Sequence, residues 1–307
     1  RHIIKLARKA RAAVVIGGGI TALEIVEGLA ARKINVHHLL RRDRYWSNVL
    51  EEEESRVIET RLREDGVQIH YHTQATQIIG KHGHVSGVLT QDGHQIPCQM
   101  VAIAVGIRPR TELAVALGLQ VERGILVNEL LQTSQPDIYA AGDVAQIFDP
   151  LTERYNIDSL WGPARQQGQI AGLNMAGAQI PYIKSAPFNV TRLAGLTTTI
   201  IGAVGSGEDD DLIGIARGDS ETWRQLPEAI AAQKGFDVNR MRVMVGHQYL
   251  IGAVVMGDQT LSRPLQHLVA EKVDISSIRD DLLDTQANLS EILLDFWTSW
   301  RNDHATQ

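Results

Sequence analysis

Residues 14–24 read VVIGGGITALE, a short apolar run that stops dead on three glycines and restarts as an amphipathic pattern. AAVVI (12–16) is predicted to be a buried strand, TALEIVEGLAARK (21–33) a helix and NVHHLL (35–40) a second strand, which makes a βαβ unit. Each small residue in the turn between them has its own physical reason. Gly17 makes the tight bend, Gly19 lacks a Cβ that would obstruct a diphosphate, and Ala22 is small enough for helix and strand to pack closely. The helix N-terminus then offers unpaired N–H groups and its positive dipole end. A G-x-G-x-x-A spacing alone is weak evidence and fits a plain glycine turn. In a complete strand-turn-helix-strand setting it points to a dinucleotide.

The end of the second strand bears on which dinucleotide. An acidic residue there would bond the adenosine ribose hydroxyls, but this chain has Leu40 followed by Arg41, Arg42 and Arg44. Guanidinium groups bond phosphate bidentately, so NADP(H) is favoured, with NAD(H) left open through Asp43. One or two charge-assisted bonds, at roughly 1.5–3 kcal/mol each, would set that preference.

Farther on, a helix is expected over about 50–65, followed by an extended stretch at 67–79. A β-meander then turns at Gly83 and Asp92-Gly93. MVAIAVG (100–106) returns to the parallel core as a continuous apolar strand. TSQPDIYAAGDVA (133–145) reads as a turn, a short strand at Ile138 and Tyr139, and a Gly-Asp pair opening a helix. Another helix is expected at about 160–176. Past residue 178, FNVTRLAGLTTTIIGAVG, DLIGIARG, MRVMVG and YLIGAVVMG are predicted strands of an α+β unit closed by helices near 262–272 and 288–302.

A chain of 307 residues, 44% hydrophobic and 21% charged, can bury two or three cores. Its net charge of −6 gives no electrostatic footprint for nucleic acid. A single cysteine, Cys98, excludes an internal disulfide framework or dithiol pair and suits a cytoplasmic setting. No apolar run reaches membrane-spanning length. The basic, apolar N-terminus ends in glycines rather than a cleavage site, so a targeting signal is not expected. EEEE (51–54) and EDDD (208–211) read as solvated surface.

With GGGITALE, AIAVGIRP, TSQPDIYAAGDVA and LWGPARQQGQIAGLNMAG in this order, the chain resembles the FAD-dependent pyridine nucleotide-disulfide oxidoreductases. Within them it looks closest to the NAD(P)H oxidase, nitrite reductase and ferredoxin or rubredoxin reductase branch. The resemblance implies an α/β fold in three parts. These are a Rossmann-like NAD(P)-binding domain over 1–105, the second segment of an FAD-binding domain over 106–180, and an α+β interface domain over 181–307. It also implies that Asp143 is a flavin ligand and that Gly142 lets the cofactor approach. The helix after Trp161 would point its N-terminus at the flavin, where its dipole stabilises negative charge. By the same resemblance Glu24 lies near the nicotinamide and Gly106 joins the cofactor-binding set.

In that family a glycine-rich βαβ unit holding the ADP half of FAD precedes the nicotinamide domain, whereas about ten residues of a basic amphipathic helix precede it in this sequence. A fragment of a larger flavoenzyme with weak or no FAD retention is therefore expected. The rival reading is a non-catalytic dinucleotide-binding or dimerisation module that has lost flavin. In the enzyme reading hydride passes from NAD(P)H to FAD and electrons go on to a small-molecule or protein acceptor. No catalytic acid or base is expected.

Further features bear on the reading. Capping of the following helix is the alternative role for Asp143. His70 and His72 on one strand face, with His82 and His84 nearby, read as exposed histidines rather than metal ligands. His37 and His38 face opposite ways. The aromatic helix at 287–303 suits core packing or the homodimer contact that the resemblance implies.

Overall fold

The computed structural model describes residues 2–149, 154–204, 230–236, 239–284 and 286–304, with only the backbone described over 230–236. Two compact units divide the chain. One comprises Arg1–Gly106 with Thr191–Thr197, and the other Ile107–Val190 with Thr198–Gln307.

In the first unit a short helix α1 (His2–Ala7) leads to β1 (Ala12–Ile16), α2 (Ile20–Ala30), β2 (Asn35–Leu39), α3 (Glu52–Glu64) and β3 (Gln68–His70). The meander strands β4 (Ala75–Lys81), β5 (His84–Thr90) and β6 (Gln95–Pro97) follow, then β7 (Met100–Ile103). The sheet order is β3-β2-β1-β7, and every pairing in it is parallel. Ala13, Val14 and Val15 are wholly buried, as a central parallel strand covered on both faces requires. Val14 and Leu39 pack against Val88, Ile96 and Cys98 of the meander side. Strand alternation turns Ala13 and Val15 the other way, where α2 buries Ala22, Leu23 and Val26.

The expected stretch at 67–79 is broken after His70, because the parallel edge strand must turn over to start an antiparallel layer. The meander turns fall where expected, with Gly83 and Gly93 at φ +76° and +84°. The acidic run at 51–54 is only partly solvated. Glu51 and Glu54 form a capping box on α3, and Glu54 is buried.

The second unit begins with α4 (Glu112–Ala116), β8 (Ile125–Leu126), β9 (Ala145–Asp149), β10 (Arg154–Asn156) and α5 (Trp161–Met175). Its small sheet has the order β10-β9-β8, and Val127, Leu131, Ala145, Ile147 and Ala171 form the local core. Ile138 and Tyr139 form no strand beyond an isolated bridge between Gln132 and Tyr139.

Next come β11 (Phe188–Leu193) and β12 (Leu196–Gly202), joined by Ala194 and Gly195 at φ +46° and +80°. Two positive φ values are the geometry of a tight two-residue hairpin. With β13 (Ile230–Phe236), β14 (Asn239–Val245) and β15 (Leu250–Met256) they form a sheet of order β11-β12-β15-β14-β13. It is followed by α6 (Ser262–Ala270), α7 (Arg279–Leu283) and α8 (Leu289–His304). Leu265, Leu268, Val243, Val255 and Leu293 make a second core, and Phe296, Trp297 and Trp300 pack against it. The aromatic helix thus packs on this core. DLIGIARG and EDDD lie outside the described residues.

Candidate functional site: the glycine turn and the arginine loop

At the end of β1 the backbone of Gly17 takes φ +139°, and a Cβ there would lie 2.2 Å from the carbonyl oxygen of Ala104. No other residue fits. The same hypothetical Cβ would sit 3.2 Å from the Cβ of Ala22, so Ala22 is held small by the turn it packs against. Gly19 differs in kind. It starts α2 in an extended conformation, and a Cβ there would meet nothing within 4 Å. Its bareness is not needed for packing. It leaves open space at a helix N-terminus, where a diphosphate can approach the backbone N–H groups.

The turn is fixed from β2 by a residue that sequence reasoning left without a role. His38, wholly buried, bonds the Gly17 carbonyl through Nε2 at 2.7 Å. A carbonyl only accepts, so Nε2 carries the proton. Burial is the main cause that pushes the His38 pKa down to about 4, against a smaller upward effect of that hydrogen bond. His37 faces the other way, as expected, and its Nδ1 lies 3.0 Å from His70 Nε2. His72 is past the end of β3 at φ +48°, so the two histidines do not share a strand face.

Beyond β2, Leu40 is buried, Arg41 is exposed and Arg42 half-buried. Arg44 Nη1 donates to Asp43 Oδ2 at 3.0 Å, so the Asp43 carboxylate is paired with a guanidinium. Ser55 and Glu59, buried on one face of α3, bond the main chain of Tyr45 in this loop. Glu24 is exposed and lines a cleft with Glu27, Arg61, Arg192 and Gly195. Burial raises the Glu27 pKa there, opposed by the Gly195 N–H and Arg192. Gly106 ends the first unit at φ +118° with open space around its Cα.

In the second unit Gly142 takes φ +74° and starts a single 3₁₀ turn, Gly142–Val144, which runs directly into β9. The expected helix after Asp143 does not form, and the turn is capped by Ala141 without a side-chain bond, so Asp143 is not an N-cap. Its carboxylate is exposed and accepts no hydrogen bond among the described residues. Ala164, in the first turns of α5, would lie 3.5 Å from a Cβ on Gly142, so the two segments are neighbours. The Gly142 N–H donates to Oε1 of the fully buried Gln167 at 2.7 Å. Trp161, at the start of α5, is 77% exposed, with Arg165 over its ring. A buried ion group lies in the same unit, with Lys184 Nζ 2.6 Å from Asp149 and 3.5 Å from Asp158.

Comparison with known proteins agrees with this geometry. The profile of the family described as pyridine nucleotide-disulphide oxidoreductase matches residues 1–168. The chain is 26% identical over 275 residues to the nitrite reductase [NAD(P)H] of Bacillus subtilis (strain 168), covering 89% of this chain and 31% of that protein. It is 28% identical over 274 residues to putidaredoxin reductase of Pseudomonas putida, covering 86% and 64% respectively. A ferredoxin reductase structure from Rhodopseudomonas palustris superposes with a TM-score of 0.78 at 22% identity, over 94% of this chain and 66% of that one. The chain thus spans from about a third to about two thirds of the length of these relatives. With a family match over more than half of its length, the chain belongs to the pyridine nucleotide-disulphide oxidoreductases.

Proposed function

We propose that this chain serves an FAD-dependent NAD(P)H oxidoreductase, with the turn at residues 17–22 binding the nicotinamide nucleotide and the turn at 142–143 facing flavin. The observation that carries the reading is the contrast within the glycine turn. Gly17 is required by the fold, whereas Gly19 is bare for no reason of packing.

The residues also fit a flavin. Asp143 is an exposed carboxylate with no bond among the described residues, set on a positive-φ glycine beside the start of α5. A module that had lost flavin would have no reason to keep it. When bound, flavin accepts hydride from the reduced nicotinamide and passes electrons to an acceptor. The protein's own contributions are placement and electrostatics. Gly17 and Gly19 admit the diphosphate, Arg41 and Arg42 favour NADP(H), Glu24 serves the nicotinamide end, and Asp143 bonds the flavin. Trp161 opens the helix whose dipole favours negative charge.

A relative has been solved covalently joined to putidaredoxin, and an electron-transfer protein of that kind is one acceptor class for this chain. The two separate cores of the second unit support division into a flavin-facing segment (106–180) and an interface domain (181–307). A cytoplasmic homodimer completes the reading. Cys98 is a buried thiol, and no helix among the described residues is long and apolar enough to cross a membrane.

Titration calorimetry of the full chain with NADPH and NADH tests the nucleotide reading. Heat is expected with the wild type, and Gly19→Val should abolish it while the circular dichroism melt stays within a few degrees, since nothing surrounds that position. No heat with either coenzyme, or equal heat from a folded Gly19→Val, would refute the reading.

A further inference from the structure

The loop after β2 is held from beneath by a buried carboxylate, that of Glu59 on α3. Glu59 accepts the Tyr45 N–H on Oε1 at 2.7 Å and the Tyr71 hydroxyl on Oε2 at 2.5 Å. Arg63 reaches the same Oε2 at 3.6 Å and also donates to the Tyr71 hydroxyl. One turn earlier on the same face of α3, the Ser55 hydroxyl donates to the Tyr45 carbonyl at 2.7 Å. Both peptide groups of Tyr45 are therefore fixed by α3 side chains four residues apart.

The strip carrying Tyr71 is stitched to the loop a second time. The His72 N–H donates to the Arg42 carbonyl at 3.1 Å, and the Thr73 N–H to the Leu40 carbonyl at 2.9 Å. Tyr45 and Trp46 are buried, and Trp46 holds a left-handed φ of +51°. A merely solvated loop would need none of this. Burying an ionised carboxylate costs several kcal/mol before its donors offset it, and an apolar residue could fill the space without that cost.

What the clamp does fix is the main chain from which Arg41, Arg42 and Arg44 project. A phosphate monoester bound by guanidinium groups on a preset backbone loses less ordering entropy than one bound by a loose loop. Asp43, the carboxylate within this loop, is paired with Arg44. We propose that Glu59, seconded by Tyr71 and Ser55, is the positioning residue that shapes the arginine loop for a phosphate monoester on the adenosine ribose. This deepens the nucleotide-binding reading and rests on it.

The probes are adenosine 2′,5′-bisphosphate and adenosine 5′-monophosphate, titrated calorimetrically into the full chain, with the ratio of their Kd values as the readout. A general loss of structure would weaken both probes, whereas loss of positioning weakens only the first. The wild type should prefer the bisphosphate. Glu59→Gln should cut that preference about tenfold, the scale of one charge-assisted bond lost from good geometry, and should leave the monophosphate Kd within about twofold.

Tyr71→Phe keeps the Tyr45 bond and should cut the preference about threefold. It carries the test if Glu59→Gln does not give folded protein by circular dichroism. A wild type that binds neither probe refutes nucleotide binding itself, and one that binds both equally refutes the phosphate reading; either result takes the proposal with it. A wild-type preference that survives in the folded Glu59 variant, or in Tyr71→Phe where that variant does not fold, refutes the positioning role alone.

Discussion

His38 shows how a single side chain couples the glycine turn to pH. Its folded pKa is pushed down to about 4 by burial, from an ordinary value of 6.5. The folded state keeps the ring neutral, while the unfolded chain takes up a proton as pH falls below 6.5. Stability from this group is therefore complete above pH 6.5 and drains away as pH falls toward about 4. The span is worth on the order of 3 kcal/mol. His38→Gln keeps an N–H donor for the Gly17 carbonyl but cannot titrate, so urea-unfolding free energies between pH 6.5 and about 4 should fall less steeply than in the wild type. Identical slopes would show that His38 is not what acid attacks.

At the scale of elements, α5 and the 142–144 turn stand or fall together through one amide. Gln167 receives the buried Gly142 N–H on its Oε1. Gln167→Leu strands that N–H and should cost about 1–3 kcal/mol in denaturant unfolding. Gln167→Glu, which keeps an acceptor oxygen, should cost less. Equal losses would mean that the Gly142 bond is not what the side chain supplies.

The first βαβ unit was legible in the sequence because its signals are local. An apolar run, a glycine turn and a helical period need no distant partner to be read. The turn at Asp143 was misread for the converse reason. Val144, Ile147 and Phe148 fall at helical spacing, yet pairing with β8 and β10 makes 145–149 a strand with Phe148 outward. Glu59 looks like one more surface charge on an arginine-rich helix. Its partners are a backbone N–H fourteen residues back and a hydroxyl twelve residues on, and neither leaves a trace in residue type. His37 and His70 meet only because β2 and β3 pair in parallel.

Taken whole, the molecule has separate cores, and damage to one should stay there. Leu265 has no exposed surface and packs in a cluster drawn entirely from the second unit. Leu265→Ala should cost about 2–5 kcal/mol. Hydrogen exchange should show amides of β14 and β15 losing protection while those of β1, β2 and β7 keep theirs. Equal loss in both sets would mean that the cores melt as one cooperative body.

The tip of the β11–β12 hairpin belongs by its contacts to the first unit, where the Arg61 Nε donates to the Ala194 carbonyl at 2.7 Å. The polypeptide consequently leaves the first unit after Gly106, re-enters it for 191–197 and departs again. A gene cut once after Gly106 encodes a first unit missing its own last piece. Exchange of such modules between related enzymes, in evolution or by recombinant splicing, has to carry two separated stretches of coding sequence or supply that hairpin from the recipient.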